Sequence, residues 1–282
     1  MSTMKTDTLP VPGADLYYEL SGAGPLLLVS QSGEGDATRT ADLVDRLVDH
    51  YTVVTYDRRG LSRSTISDPA QPLTIGTHAD DVHHLLAALT DEPAFMLGCS
   101  LGAVIGLHLA VEHPGQVGTL IAHEPVALRL LPAAERDSAD RKLGDIQETY
   151  RGEGWLPAVK KVAEALGIDP TSQETEPGLR PQPINDVRRA NFAFFLEHDL
   201  TAARRDTLDA AGVAELKGGP TRIVPAGGRT TPRDLFDYRC AQVLAELVGG
   251  VDLVEFPGGH NGNLTHPEAF AARVRDVLDG SA

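Results

Sequence analysis

Apolar residues follow two alternating rhythms along this chain. Short continuous runs at 26–30 (LLLVS) and 51–56 (YTVVTY) suit strands covered on both faces. Between them, over 38–50, Ala41, Leu43, Val44, Leu47 and Val48 recur at helical spacing. A first strand is expected at 15–20 (DLYYEL). The rhythm repeats with a helix over 75–89 that carries Val82, Leu85, Leu86 and Leu89 on one face, and a strand at 94–97. A helix over 101–111 and a strand that includes 120–122 follow. Strand and helix in alternation predict an α/β class with a mostly parallel sheet and helices on both faces.

From 126 to about 219 the pattern changes. Helix-like stretches occur at 133–150, 156–166 and 187–197, with no strand among them, and the Pro-, Gly- and Thr-containing stretch 169–183 marks a long loop. This predicts a core built from 1–125 and 220–282, with a helical cap over 126–219 that governs substrate choice. The α/β rhythm resumes with strands at 221–225 and 252–256 and helices over 231–248 and 267–278.

With 282 residues, 41% of them apolar, the chain can close one substantial core. Its cysteines, Cys99 and Cys240, suggest no disulfide framework and fit a reducing compartment. Neither a secretory leader nor an apolar run of membrane-spanning length is legible, so a cytoplasmic protein without membrane attachment is expected. A formal charge of −15 opposes binding to nucleic acid or anionic lipid and points to a neutral, apolar small-molecule substrate. No His or Cys spacing makes a metal set, and the glycine-rich stretch after 26–30 lacks the pattern of a nucleotide cradle, so neither metal nor cofactor is expected. Apolar surface on the cap is compatible with a homodimer.

Gly98-Cys99-Ser100-Leu101-Gly102 reads Gly-x-Ser-x-Gly between an apolar strand and an apolar helix. A sharp strand-to-helix turn would hold Ser100 up as a nucleophile, with small residues on either side because the backbones pass closely. The Leu101 N–H, at the start of the helix, would then face a developing oxyanion. Among the histidines, His260 stands apart. It follows the strand at 252–256 through Pro257-Gly258-Gly259, on a loop at the strand's C-terminal end, where open α/β sheets keep their sites. The order nucleophile, acid, histidine makes it the general base.

These residues resemble the α/β-hydrolase superfamily over the whole chain apart from the cap. The resemblance implies a Ser, acid, His triad, and the acid is where this sequence departs from the common pattern. The loop after the first strand beyond the cap usually carries a carboxylate, but here it reads Gly227-Gly228-Arg229-Thr230-Thr231. Asp234 and Asp237 follow, inside the expected helix, so that either would need a displaced loop to reach His260. The other position that the superfamily uses, after the strand that precedes the cap, holds His123-Glu124-Pro125, and Glu124 is the favoured acid. The superfamily's oxyanion loop after the 26–30 strand reads Ser30-Gln31-Ser32-Gly33-Glu34-Gly35, which makes Ser32 or Gly33 the second oxyanion donor. Asp57, in Asp57-Arg58-Arg59-Gly60, is read as structural.

The spacing of Gly98-Cys99-Ser100 and His123-Glu124-Pro125, with Ser62-Arg63-Ser64 and His260 before His266-Pro267-Glu268, looks like the zearalenone lactonases, which use Ser, Glu and His on a macrocyclic lactone. Cleavage of a carboxylic ester or lactone through an acyl-enzyme is therefore expected. The same residues would also serve a cofactor-free perhydrolase or a ligand-binding receptor on a hydrolase fold.

Overall fold

A computed structural model describes residues 4–280 except Pro69, Pro170 and Ser172. The last two belong to the loop expected at 169–183 and lie outside the described residues. The chain opens on an antiparallel hairpin, β1 (Lys5–Val11) with β2 (Ala14–Gly22), followed by β3 (Leu26–Ser30), a single helical turn α1 (Ala41–Val44), β4 (Thr52–Tyr56) and the short β5 (Thr65–Ile66). Then come α2 (Ile75–Leu89), β6 (Ala94–Cys99), α3 (Leu101–Glu112) and β7 (Val117–His123).

Helices fill the stretch between β7 and the next strand. They are a 3₁₀ turn (Leu128–Leu130), α4 (Ala133–Glu153), α5 (Trp155–Ala165), α6 (Asp186–Phe194), a π-helical turn (Phe195–Asp199), α7 (Leu200–Arg204) and α8 (Ala210–Ala214). The chain closes with β8 (Arg222–Gly228), α9 (Phe236–Leu247), β9 (Val254–Phe256), α10 (Gly262–Thr265) and α11 (Pro267–Leu278). The sheet order is β1-β2-β4-β3-β6-β7-β8-β9, with β5 on β2. Pairs from β4 to β9 are parallel, while the pairs made by β2 are antiparallel. This is the mostly parallel, helix-covered sheet with a helical insertion that the sequence predicts.

Burial explains the arrangement. The central strands β3, β6 and β7 are apolar on both faces because helices cover both. Leu28, Met96 and Leu120 pack with α2 and α3 on one side, and Leu27, Leu97 and Ile121 with α11 on the other. Residues 101–110 of α3 are all buried, as a helix that is apolar all round must be. The loop after α5 straps the insertion to the core. Glu176 accepts from the Glu268 and Ala269 N–H groups at the start of α11, and Arg180 pairs with Asp42 and Asp45 beside α1.

Two expectations are corrected. The helix expected over 38–50 is regular only at Ala41–Val44, with turns after it. The one expected to begin at 231 begins at Phe236, because Pro232–Leu235 form a separate turn closed by the Leu235 N–H on Pro232 O (3.2 Å).

Candidate active site

The C-terminal ends of β6, β7 and β8, with the loop after β9, converge on one spot. Cys99 is in register with His123, and His123 with Ala226, so Ser100 and Glu124 leave adjacent strands at the same level. The Ser100 N–H donates to His123 O (2.8 Å) and the Glu124 N–H to Ala226 O (2.9 Å), which fixes both turns. Ser100 sits at φ 56°, ψ −113°, and Glu124 at φ 45°. Both are in the left-handed half of backbone space that non-glycine residues avoid. A Cβ on Gly98 would lie 2.6 Å from Ala103 Cα, and one on Gly102 2.1 Å from Ser30 O. The elbow thus closes only because both positions are glycine.

Glu124 is fully buried. One carboxylate oxygen accepts from the Gly228 N–H (2.7 Å), and the other lies 2.6 Å from His260 Nδ1. Burial alone would raise its pKa, but the His260 hydrogen bond, His123 and the Gly228 N–H outweigh it and hold the carboxyl at about 2. Asp237, in the first turn of α9, brings its Oδ2 to 2.6 Å from the same His260 nitrogen, without the displaced loop that the sequence required of it. The late start of α9 is the reason. Asp234 lies in the turn before the helix and makes no ion pair with His260 among the described residues. Burial opposes a charge on His260, yet Asp237 and Glu124 together push the imidazole up to about 10. Among the described residues no hydrogen bond joins Ser100 to His260; in free hydrolases such bonds often form only with substrate in place.

The loop after β3 runs beside this group. Arg58, which is buried, donates to Gln31 O (3.0 Å) and Ser32 O (3.2 Å), and also to Gly33 O. Its guanidinium is neutralised by Asp199 (2.9 Å) from the π-helical turn of the insertion, and Asp199 also holds His78 Nε2 (3.1 Å). The segment of Ser32 and Gly33 is thereby pinned from below by its carbonyls. From the insertion, the Phe195 ring covers Gly33, where a Cβ would approach it to 3.1 Å. Asp57 is structural, as read: it accepts from the Ala37 N–H and from Arg63. Arg58 and Asp199 escape sequence reasoning because they are 141 positions apart. The Asp-Arg-Arg-Gly turn after β4 was the available signal.

A narrow apolar cleft, with about 30 Å³ of free volume, adjoins Ser100 and Leu101 under Leu143, Ile146, Val162 and Phe195 of the insertion. An open recess of about 510 Å³ reaches His260 past Arg229, Asp169 and His266. A larger recess, about 690 Å³, is polar, lies around Arg151 and Arg204, and includes none of these residues. Asp80, Glu112 and His113 bring donor atoms within 4.8 Å of one another, but on the surface and with both carboxylates exposed.

Comparison with known proteins follows this geometry. A family model described as alpha/beta hydrolase fold matches residues 26–155, from β3 through the elbow to the start of α5. An uncharacterized hydrolase of Bacillus subtilis, YraK, is 37% identical over 278 residues, covering 98% of this chain and 97% of its own. The chain belongs to the α/β-hydrolase fold family. Within that family, a hydrolase from Pseudomonas aeruginosa has a solved structure with TM-score 0.71 and 26% identity, covering 97% of this chain and 98% of that one. The enol-lactonase of Burkholderia xenovorans shares the fold at TM-score 0.70 and 21% identity, over 97% of this chain and all (100%) of that one.

Proposed function

We propose that this α/β-hydrolase cleaves a carboxylic ester or lactone through an acyl-enzyme on Ser100, with His260 as general base and Glu124 as its acid. The observation that carries the reading is the buried 2.6 Å contact between Glu124 and His260 Nδ1, one strand over from a serine held at φ 56°. The carboxylate orients the ring so that Nε2 is the free face, and stabilises the imidazolium that forms. Ser100 Oγ attacks the carbonyl carbon and gives its proton to Nε2. The negative oxygen is held by the Leu101 N–H and by the backbone of the Ser32–Gly33 loop. When the C–O bond to the leaving group breaks, Nε2 returns the proton to that oxygen. Water then attacks the acyl-enzyme by the same route, restoring Ser100.

The apolar lining of the cleft beside Ser100 suits an uncharged acyl group by its chemistry, with room for it made as the insertion side chains give way. The enol-lactonase among the structural relatives and the likeness to zearalenone lactonases in the spacing of Ser100, Glu124 and His260 favour lactones as the first compounds to try. The test is turnover of p-nitrophenyl butyrate and of a macrocyclic lactone by wild type and Ser100→Ala. Ser100→Ala is expected to lose turnover with an unchanged circular dichroism spectrum; turnover that survives this substitution overturns the reading.

A further inference from the structure

The reaction just described leaves one buried group without a task. Asp237 is fully buried, its Oδ2 is as close to His260 Nδ1 (2.6 Å) as Glu124 is, and neither of its oxygens makes a well-aligned hydrogen bond among the described residues. The donor atoms of Glu124, Asp237 and His260 lie within 4.8 Å of one another. Two carboxylates this close in a dry pocket cannot both stay charged unless the imidazole between them is itself the cation. No Lys or Arg ion pair reaches either one among the described residues.

We propose that Asp237 is a second acidic partner of His260, a reserve carboxylate that takes over the orientation of the imidazole when Glu124 cannot provide it. This rests on the reading of Ser100 and His260 as nucleophile and base. Glu124 is the acid in use, since it has the aligned bond to Nδ1 and a backbone donor from Gly228 to hold its charge. Burial first, and Glu124 with it, push the Asp237 carboxyl up, against the pull of His260 and the Tyr238 N–H. A proton held by the pair is therefore favoured on Asp237 rather than on Glu124. Around it, burial pushes the Cys240 thiol up and keeps it uncharged, and burial keeps His123 neutral, down at about 4.

The shared proton has a use in the intact protein. With both carboxylates charged, His260 would be a cation at neutral pH and could not accept the Ser100 proton; with Asp237 protonated, one of the two pushes on the imidazole is gone. Without the Glu124 charge, Asp237 loses a repelling neighbour, gives up its proton to water, and as a carboxylate accepts the Nδ1–H hydrogen bond from where it already stands. The two positions then behave as alternatives rather than as additive contributors.

The experiment compares wild type, Ser100→Ala, Glu124→Gln, Asp237→Asn and the Glu124→Gln/Asp237→Asn double variant. Turnover of p-nitrophenyl butyrate is followed against pH, with the low-field proton resonance of the His260 Nδ1–H recorded on each. Each single acid variant is expected to keep turnover within about 10- to 100-fold of wild type, and the double variant to fall about 10,000-fold, the loss seen when a triad has no acid. Glu124→Gln should also show a new ionisation, that of Asp237. The low-field resonance is expected in both single variants and absent from the double. A Glu124→Gln protein that is as slow as the double variant, or that lacks the resonance, overturns the proposal. The resonance needs no substrate and is read from Glu124→Gln alone. It therefore decides the matter even if the double variant does not fold, or if Ser100→Ala shows the ester reading to be wrong.

Discussion

Ser100 occupies a backbone conformation that its own side chain disfavours, and the surrounding turn holds it there through glycines with no room to spare. On Gly102 an added methyl would meet Ser30 O at 2.1 Å, and a strand carbonyl in the middle of a sheet cannot move aside as a flexible side chain would. Gly102→Ala is expected to cost about 1–3 kcal/mol by overpacking. A thermal scan should show the melting point lowered by roughly 2–4 °C for each kcal/mol. The pentapeptide 98–102 was legible because this demand leaves a mark on the sequence: two small residues around a serine, after an apolar strand. His260 was legible from its loop alone. The sequence puts Asp237 well inside a helix from 231, whereas Pro232 opens a separate turn and α9 begins at Phe236, which leaves Asp237 in its first turn.

At the level of elements, the loop after β3 and the π-helical turn Phe195–Asp199 depend on one guanidinium. Arg58 holds three successive loop carbonyls and Asp199, and Asp199 holds His78 of α2. Removing one side of a buried pair leaves an uncompensated charge, so Arg58→Met is expected to destabilise by about 3–5 kcal/mol in a urea titration. Asp199→Asn should cost about as much, because its amide oxygen can still accept but leaves the buried Arg58 charge uncompensated. Turnover should fall in both, since the loop loses its anchor. The sequence points to Arg58 only through the Asp57-Arg58-Arg59-Gly60 turn, while Asp199 falls just past the helix-like stretch 187–197, with nothing to link the two. β1 was missed for a different reason: KTDTLPV is an edge strand with mostly exposed side chains, so it lacks the apolar run that betrayed β3 and β4. The insertion was legible as helical because each of its long helices turns one apolar face inward.

Across the whole molecule, the end of the insertion is tied to the helix that follows Ser100. His108 of α3 lies 2.7 Å from Asp206 and 3.1 Å from Glu112. Burial works against its charge, but Asp206 and Glu112 outweigh it, and its pKa is raised in the folded protein. The charged imidazole therefore stabilises the fold fully below the ordinary histidine value of about 6.5, and the gain is lost as pH rises through the folded value. Melting curves of wild type and His108→Gln should accordingly lie apart in weak acid, with wild type higher, and converge as the solution is made alkaline. A constant gap across pH would show that the histidine acts by shape alone. The fold class could be read along the whole chain from its periodicity, and Glu124 beside His260 from the superfamily's alternative acid position, while the simultaneous approach of Asp237 could not, because the three residues come from separate stretches.

The walls of the apolar cleft come from helices of the insertion, which leaves the sheet after β7 and rejoins it at β8, whereas Ser100, Glu124 and His260 stand on the ends of the strands and the loop after β9. On the proposed reading, machinery and mould are thus encoded in separate runs of sequence. The acyl preference proposed here could then drift, or be redesigned, by rewriting the helices between β7 and β8 while the proposed reacting atoms keep their positions, which would make this chain a chassis as much as a single enzyme.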